Sequence, residues 1–500
     1  MNEVRHIVIA GRSPVAWIAA AGLLRAFQHR PPRVTVIDTG ESESSRAGYW
    51  TLPSQRGIHT LLGVSESAFI KQTGASFKLA TEHNGWQGAG SRFLHVHGDI
   101  GIEFRGTPFY KFLQGEALAG RPQLPENFSV GGIAATLGKF ARPMEGANAL
   151  TANFTYGFHL DEGAYTAYLR AHAERLGAHA APAAFAGVSL NETGDIASIT
   201  LADGSSLTAD LFLDCSGREA RLIGAVDRAG RDDWSSWLPC DGMWSAKAPA
   251  SADPPAITRT FATDAGWLWR APLARSSMAG HVFSSRFQDA DAALAVLRAF
   301  EPGLDTPHIT RFVAGRRRQF WERNCVAIGA SAVELEPLAG ADLHLAQIGI
   351  ATLVELFPRD ASSVIEAAEY NRLMAEYSDA LRDFTLAHYH VCAPRAGAFW
   401  SDIRTRELPA NLAAKLSLYA ANGRIDVRDH ETFEEVDWAW LFMGAGVNPD
   451  SIEMQTRLQL ADLPLQEVAA MRAQIQRLAQ SMPSHAEFLR HLASASPRSH

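Results

Sequence analysis

Cysteine is scarce in this chain: four in 500 residues, at Cys215, Cys240, Cys325 and Cys392. No two form a CxxC pair and none falls in a Cys/His cluster with zinc spacing, so neither a disulfide framework nor a metal site is expected. A basic excess is missing as well. Lys and Arg total 46 against 54 Asp and Glu, and the formal net charge of −8 argues against a nucleic-acid partner. Long charge-free apolar runs are also lacking. The segment HIVIAGRSPVAWIAAAGLL mimics a signal peptide, but Arg12 and Pro14 break it after a strand-length stretch. No run long enough to span a bilayer is free of charge. These absences lead to the expectation of a cytoplasmic enzyme without a membrane or nucleic-acid partner.

What is present is an ordinary globular composition, 47% hydrophobic and 20% charged. At this length two intimately packed modules are expected. Ile7 to Ala10 read as a short buried strand, Val15 to Phe27 as an Ala-rich helix, and Val34 to Ile37 as a second strand ending at Asp38: a βαβ unit. ASITLADGSSLTADLFLDCSG contains a hairpin-like turn and then an apolar strand. WLWRAPLARSSMAGHVFSSRF alternates as a pair of strands, NCVAIGA is another buried strand, and HLAQIGIATLVELF an apolar helix. From about Ala361 the pattern is mainly helical. The expected architecture is α/β: a dinucleotide-binding core with an interleaved β-sheet over residues 1–360, and a helical part over residues 361–500 packed on it.

A parallel sheet binds a dinucleotide where a strand ends in a glycine-rich turn and a helix begins, with an acid at the end of the next strand for the ribose. The frame here is strand, Gly11, helix, strand, Asp38. The GxGxxG positions read Gly11, Ser13 and Ala16. Alanine at the third is tolerated, but Ser13 adds a side chain where phosphates approach, and Pro14 removes an N–H. On these residues alone a nucleotide site and an ordinary βαβ turn are equally open. Asp214 and Gly217 end a later apolar strand, and Gly329 precedes a Pro-Leu-Ala-Gly loop and a helix N-terminus whose N–H groups can face a flavin. These two further units favour FAD.

Other segments resemble a known family. GWLWRAP (Trp267, Trp269, Pro272) resembles the WxWxIP signature of flavin-dependent tryptophan halogenases, with Ala271 in place of isoleucine. FIKQTGASFKLA is similar to the family's catalytic-lysine segment and places that lysine at Lys78. GTPFYKFLQG, DLFLDCSG, GRRRQFWERNCVAIG, ELEPL, VDWAWLFMGAGVNP and MPSHAEFL follow in the family's order over nearly the whole chain. The resemblance implies a GR2-type, FAD-binding Rossmann-like core. It implies cofactor contacts from Gly11, Ser13, Ala16, Asp38, Gly48, Phe185, Asp214, Gly217, Gly329, Ala330 and Leu343. It further implies that a separate reductase supplies reduced FAD, which with oxygen and chloride or bromide yields hypohalous acid. That acid would pass inside the protein to Lys78 and halogenate an electron-rich, indole-like aromatic. A homodimer is left open.

Each assignment has a plainer counterpart. Lys78 alone would be taken for a solvated helix lysine. Trp267 and Trp269 share one strand face and are equally core residues or an aromatic wall between flavin and substrate. The chain also departs from the family. After EPL, Ala339 and Gly340 replace a glutamate and a serine, and the next two positions, where backbone N–H groups cradle the halide, are Ala341 and Asp342. A carboxylate there is expected to oppose an anion and weaken halogenation. The strap that usually reads GxGEGTxP is RAGYWTLP, keeping Gly48, Thr51 and Pro53. Turn, strap and loop read as three independent changes. Two rivals follow: an aromatic hydroxylase, which needs no halide, and a scaffold that binds an aromatic ligand without turnover.

Overall fold

A computed structural model describes residues 3–40, 47–143, 150, 154–359, 364–392, 395–461 and 463–494. Arg46, which opens the strap segment, and Ala361 lie outside the described residues. The chain starts with β1 (His6–Ala10), α1 (Pro14–Ala26) and β2 (Arg33–Ile37), the βαβ unit read from the sequence. α2 (Ser54–Leu62) follows, then the strands β3 (Ser76–Lys78), β4 (Ala80–Asn84) and β5 (Arg92–Val96). β6 (Gly157–Asp161) runs into α3 (Glu162–Arg175), whose first turn is capped by Asp161 Oδ1 accepting from Ala164 N at 2.8 Å. Next come β7 (His179–Ala180), β8 (Leu211–Asp214), β9 (Ile257–Thr263), β10 (Gly266–Pro272) and β11 (Ser277–Phe283). β12 (Trp321–Glu322), β13 (Cys325–Ala327), α4 (Asp342–Glu355), α5 (Val364–Val391), α6 (Glu435–Gly444) and α7 (His485–Ser494) complete the elements that matter for the site.

The chain forms two compact units. The first joins Met1–Gly74, Leu160–Ser245 and Pro307–Asp379; the second joins Ala75–His159, Ala246–Thr306 and Ala380–His500. Each draws on three stretches of chain, with borders elsewhere than residue 360.

The first unit is built on a six-stranded sheet in the order β12-β13-β8-β1-β2-β7, parallel except for β12. Ile7, Val8, Ile9 and Ala10 are fully buried, as a strand covered on both faces requires. Small residues on α1 (Ala16, Ala19, Ala20 and Ala21, all 0% exposed) let that helix lie close to its neighbours. The chain leaves β1 for β2 on one side and later returns to β8 on the other. This order reversal is the topological switch point beside which doubly wound sheets bind ligands.

The second unit carries adjacent strands in the order β11-β10-β9-β4-β5, with β9 and β4 parallel and the other pairs antiparallel. β10 and β11 are the expected pair, registered Trp269 to Gly280. Every residue of β11 is buried. β3 pairs with β6, Lys78 opposite Gly157. Among the described residues no helix is long and apolar enough to cross a membrane.

Candidate active site

Lys78 ends β3 and is 1% exposed. The plain reading as a solvated helix lysine is therefore corrected: the residue lies on a strand, and its carbon stem and amine are both enclosed. Two neighbours fix the strand. Ser76 Oγ donates to Pro272 O at 2.6 Å and meets His159 Nδ1 at 3.0 Å, while Phe77 N donates to His485 Nε2 at 3.3 Å. Phe77 stacks on Phe140 with ring centroids 4.1 Å apart. Such anchoring leaves the Lys78 backbone little freedom, so its amine is delivered to one place. There it meets His97 Nε2 at 2.8 Å.

Burial pushes the Lys78 amine down from its ordinary 10.5 to about 7, and the charge of Asp437 opposes that shift. Histidines surround it. His97 and His95 alternate at the end of β5, His83 stands on β4, His159 on β6, His388 on α5 and His485 on α7. Burial, with the charges of Lys78 and neighbouring rings, holds His83, His97 and His159 well below the ordinary imidazole range. Burial likewise lowers His388 to about 3 and His485 to about 4. These rings are neutral hydrogen-bonding groups at neutral pH. His83 Nδ1 meets Thr260 Oγ1 at 3.0 Å, His159 Nε2 meets Thr258 Oγ1 at 2.9 Å, and His388 Nδ1 donates to Phe384 O at 2.9 Å. Despite their number, no group of three His, Cys, Asp or Glu among the described residues is arranged to hold a metal ion. Trp267 and Trp269, 0% and 1% exposed, share one face of β10. Gly280 opposite leaves the space that Trp269 fills: a Cβ there would stand 2.5 Å from its ring.

In the first unit, three turns converge at the C-terminal ends of β1, β8 and β13. Gly11 N donates to Ile37 O at 2.9 Å and Cys215 N to Ala10 O at 2.8 Å. A Cβ at Gly11 would lie 2.8 Å from the Cys215 carbonyl carbon, so only glycine lets the turn after β1 pass the chain leaving β8. Gly329 approaches the start of α1, where a Cβ would meet Val15 Cγ1 at 3.3 Å. Ser13 is the N-cap of α1 but makes no side-chain cap bond, Pro14 takes the first helical position, and Ala16 is fully buried. Asp38 is exposed at the end of β2, with Oδ1 accepting from Gly40 N at 2.9 Å and its carbonyl accepting from Phe185 N at 2.8 Å. Arg12 reaches across the same edge to Gly40 O at 3.0 Å.

Asp214 is brought to this edge, but its carboxylate is committed. Oδ1 accepts from Ser216 N and Oγ at 2.9 and 2.6 Å, and Oδ2 accepts from Leu222 N and Ile223 N, both at 2.8 Å. It organises the turn carrying Gly217 and offers a ligand little. Ala330 lies in the short turn Gly329–Ser331, whose Ser331 Oγ donates to Asp214 O at 2.5 Å.

The loop Ala339–Asp342 leads into α4, in which Leu343 is 2% exposed. Leu345 N to Ala341 O at 2.9 Å is the first rung of the helix, so the amides before it stand at the positive end of its dipole. Asp342 is the first residue of this helix, where an acidic side chain is favoured. α4 is held from behind by Gln347 Nε2 donating to Gln55 Oε1 at 2.6 Å, while Gln55 Nε2 donates to Tyr165 Oη at 2.9 Å.

Strap and loop meet. Gly48 begins the strand Gly48–Trp50, and Trp50, 4% exposed, packs against Gly340. Gly340 has φ +66°, and a Cβ there would stand 2.5 Å from Trp50 Cδ1. A side chain at 340 therefore requires Trp50 to shift. The strap and the loop, read from the sequence as separate departures, touch here: Trp50 occupies the space that a side chain at 340 would need. Sequence reasoning missed Trp50, whose partner is remote in the chain. It also missed His97, which follows directly on β5 two residues after His95.

An FAD-binding Rossmann-like unit combined with a separate buried, weakly basic lysine defines a class of flavin-dependent oxidoreductases. The chain belongs to the tryptophan halogenase family, whose model matches residues 6–459. It is similar to BrvH, a flavin-dependent halogenase from Brevundimonas sp. BAL3, at 33% identity over 98% of this chain and 99% of that one, with a TM-score of 0.91. Xcc4156, a flavin-dependent halogenase from Xanthomonas campestris, is also 33% identical, over 99% and 100% of the two chains, with a TM-score of 0.92. The tryptophan 7-halogenase KtzQ of Kutzneria sp. (strain 744) is 26% identical over 98% of this chain and 99% of its own.

Proposed function

We propose that the protein halogenates an electron-rich, indole-like aromatic compound, with FAD as cofactor, chloride or bromide as co-substrate and Lys78 as the catalytic residue. The observation that carries this is Lys78 itself: within a scaffold that the family model matches over residues 6–459 it is enclosed, and burial brings its amine down to about 7. An amine in that state is populated both as ammonium and as free amine at neutral pH, whereas a solvated lysine is almost wholly ammonium.

The first unit fits the cofactor. Gly11 keeps the turn after β1 free of a side chain at the switch point, Asp38 is open to solvent beside it, and α1 and α4 both begin at this face of the unit. Gly11, Ser13, Ala16, Asp38, Gly48, Phe185, Gly217, Gly329, Ala330 and Leu343 would hold FAD, with Asp214 shaping their turns. Reduced FAD, delivered by a separate reductase, supplies the electrons for oxygen to oxidise halide to hypohalous acid. The chain's own part is to hold that oxidant by the Lys78 amine and to wall off water with Trp267 and Trp269. The loop Ala339, Gly340, Ala341 and Asp342 would offer α4's N-terminal amides to halide, with Asp342 lowering the affinity. A separate reductase as the source of reduced flavin is compatible with a cytoplasmic enzyme.

The test is product mass from an indole incubated with protein, reduced FAD, oxygen and either halide. The expected product carries one halogen and disappears without halide. A halide-independent product one oxygen heavier would move the assignment to a hydroxylase.

A further inference from the structure

Among the described residues the Lys78 side chain makes a single hydrogen bond, to His97 Nε2 at 2.8 Å. His97 is 5% exposed. The other titratable groups facing this pair are His83, His95, His159, His388, His485 and Asp437. Asp437 bears on Lys78 only through space. Its Oδ1 meets His95 Nε2 at 3.1 Å and its Oδ2 accepts from Glu434 N at 2.9 Å. No carboxylate among the described residues touches the amine. The imidazole of His97 is therefore what aims it and what can exchange a proton with it.

We propose that His97 is the positioning residue of Lys78, holding its amine by this hydrogen bond and returning to it the proton it gives up in each turnover. The proposal rests on the assignment of Lys78 made above. The reaction replaces a ring hydrogen by halogen, with hypohalous acid as oxidant: ArH + HOX → ArX + H2O. The C–X bond forms as the O–X bond breaks, so the halogen gains two electrons and the ring carbon loses them. Lys78, as ammonium, protonates the departing oxygen to water and is left as the amine. The ring's proton then passes to His97, and the imidazolium so formed gives its Nε2 proton to the Lys78 amine, closing the cycle with Lys78 again the ammonium and His97 again neutral. His97 stays neutral between turnovers because burial and the Lys78 charge keep its ring well below the ordinary range.

The test uses protein labelled with 15N at lysine Nζ, which six lysines in 500 residues make tractable, the Lys78 signal being the one lost in Lys78→Met. In the wild type that signal is expected to titrate near about 7. In His97→Phe the ammonium loses its acceptor. The midpoint should fall by about one pH unit or more, and kcat for halogenation should drop at least ~tenfold with the KM for the aromatic little changed. His97→Gln can hold the amine but cannot carry a proton, so it should keep the midpoint and still lose turnover. An unchanged midpoint in His97→Phe, or wild-type turnover in His97→Gln, would overturn the proposal. A wild type that forms no halogenated product would defeat the functional assignment alone, and the midpoint in His97→Phe would still decide whether His97 holds Lys78.

Discussion

The two units of this chain reach function by opposite routes. The first, on the proposed reading, works through backbone: its glycine turns, strand ends and helix N-termini would frame FAD, and its most conspicuous acid, Asp214, spends its carboxylate on four donors within its own turn. The second works through side chains: a buried lysine and a shell of buried histidines whose proton affinities are set by the loss of water. A backbone site tolerates substitution as long as the turn still closes. That is how Ser13 and Pro14 could stand in a turn proposed to hold the FAD phosphates, and how Trp50 can lie against Gly340. A site made of desolvated side chains has no such latitude, because each buried ionisable group costs stability unless neutral or paired.

This contrast predicts acid sensitivity that is greater in the second unit. An unfolded histidine takes up a proton near 6.5, whereas these folded rings stay neutral far below that, so the unfolded state binds more protons and stability falls as pH drops below 6.5. At pH 5 the loss is at most about 2 kcal/mol per ring. The second unit has five such rings: His83, His97, His159, His388 and His485. The first has His59, lowered by burial to about 3, and His344, lowered to about 4. Hydrogen exchange at pH 7 and pH 5, corrected for intrinsic rates, should show segments of the second unit opening first. Equal loss of protection in both units would break the comparison.

The next largest effect concerns Lys78. Its folded value of about 7 lies below the ordinary 10.5, so between these pH values the unfolded chain keeps a proton that the folded chain has released. Stability therefore rises across that window, and the penalty is complete below it. Lys78→Met should stabilise the protein by about 2–4 kcal/mol at pH 6, after allowing for the lost hydrogen bond to His97, and by little at pH 10. Denaturant melts at the two pH values check this; a pH-independent difference would mean that the amine is not desolvated in solution.

In the first unit the expected effect is a coupling. Gly340→Ser should destabilise by about 2–4 kcal/mol, from positive-φ strain and the clash with Trp50. Combined with Trp50→Gly, it should cost about 1–3 kcal/mol less than the sum of the single changes. Additive losses in the double-mutant cycle would restore the view that strap and loop changed independently. The smallest effect concerns halide: Asp342→Ser should lower the halide KM about tenfold, well short of the roughly 4 kcal/mol of a bare pair at 4 Å, because Asp342 is partly exposed.

Much of the first unit was legible in the sequence, because strand and helix periods, Gly11 and Asp38 are local signals that packing then respects. Family membership was legible in the ordered motifs around Trp267, Trp269 and Lys78. Three features were hidden because their partners are remote or their meaning depends on solvent. The commitment of Asp214 depends on amides at Ser216, Leu222 and Ile223 that a bend brings to it. The contact of Trp50 with Gly340 joins distant stretches of chain. The weak basicity of Lys78 exists only once folding removes its water; in sequence it is one lysine near the end of FIKQTGASFKLA.

The division of labour between the units is tested most directly by Lys78→Ala, assayed with reductase-supplied reduced FAD, oxygen, halide and an indole. Halogenated product should fall to background while the rate of flavin reoxidation stays at the wild-type value. A mutant that keeps most of its halogenated product, or one whose flavin reoxidation collapses with it, would contradict the account.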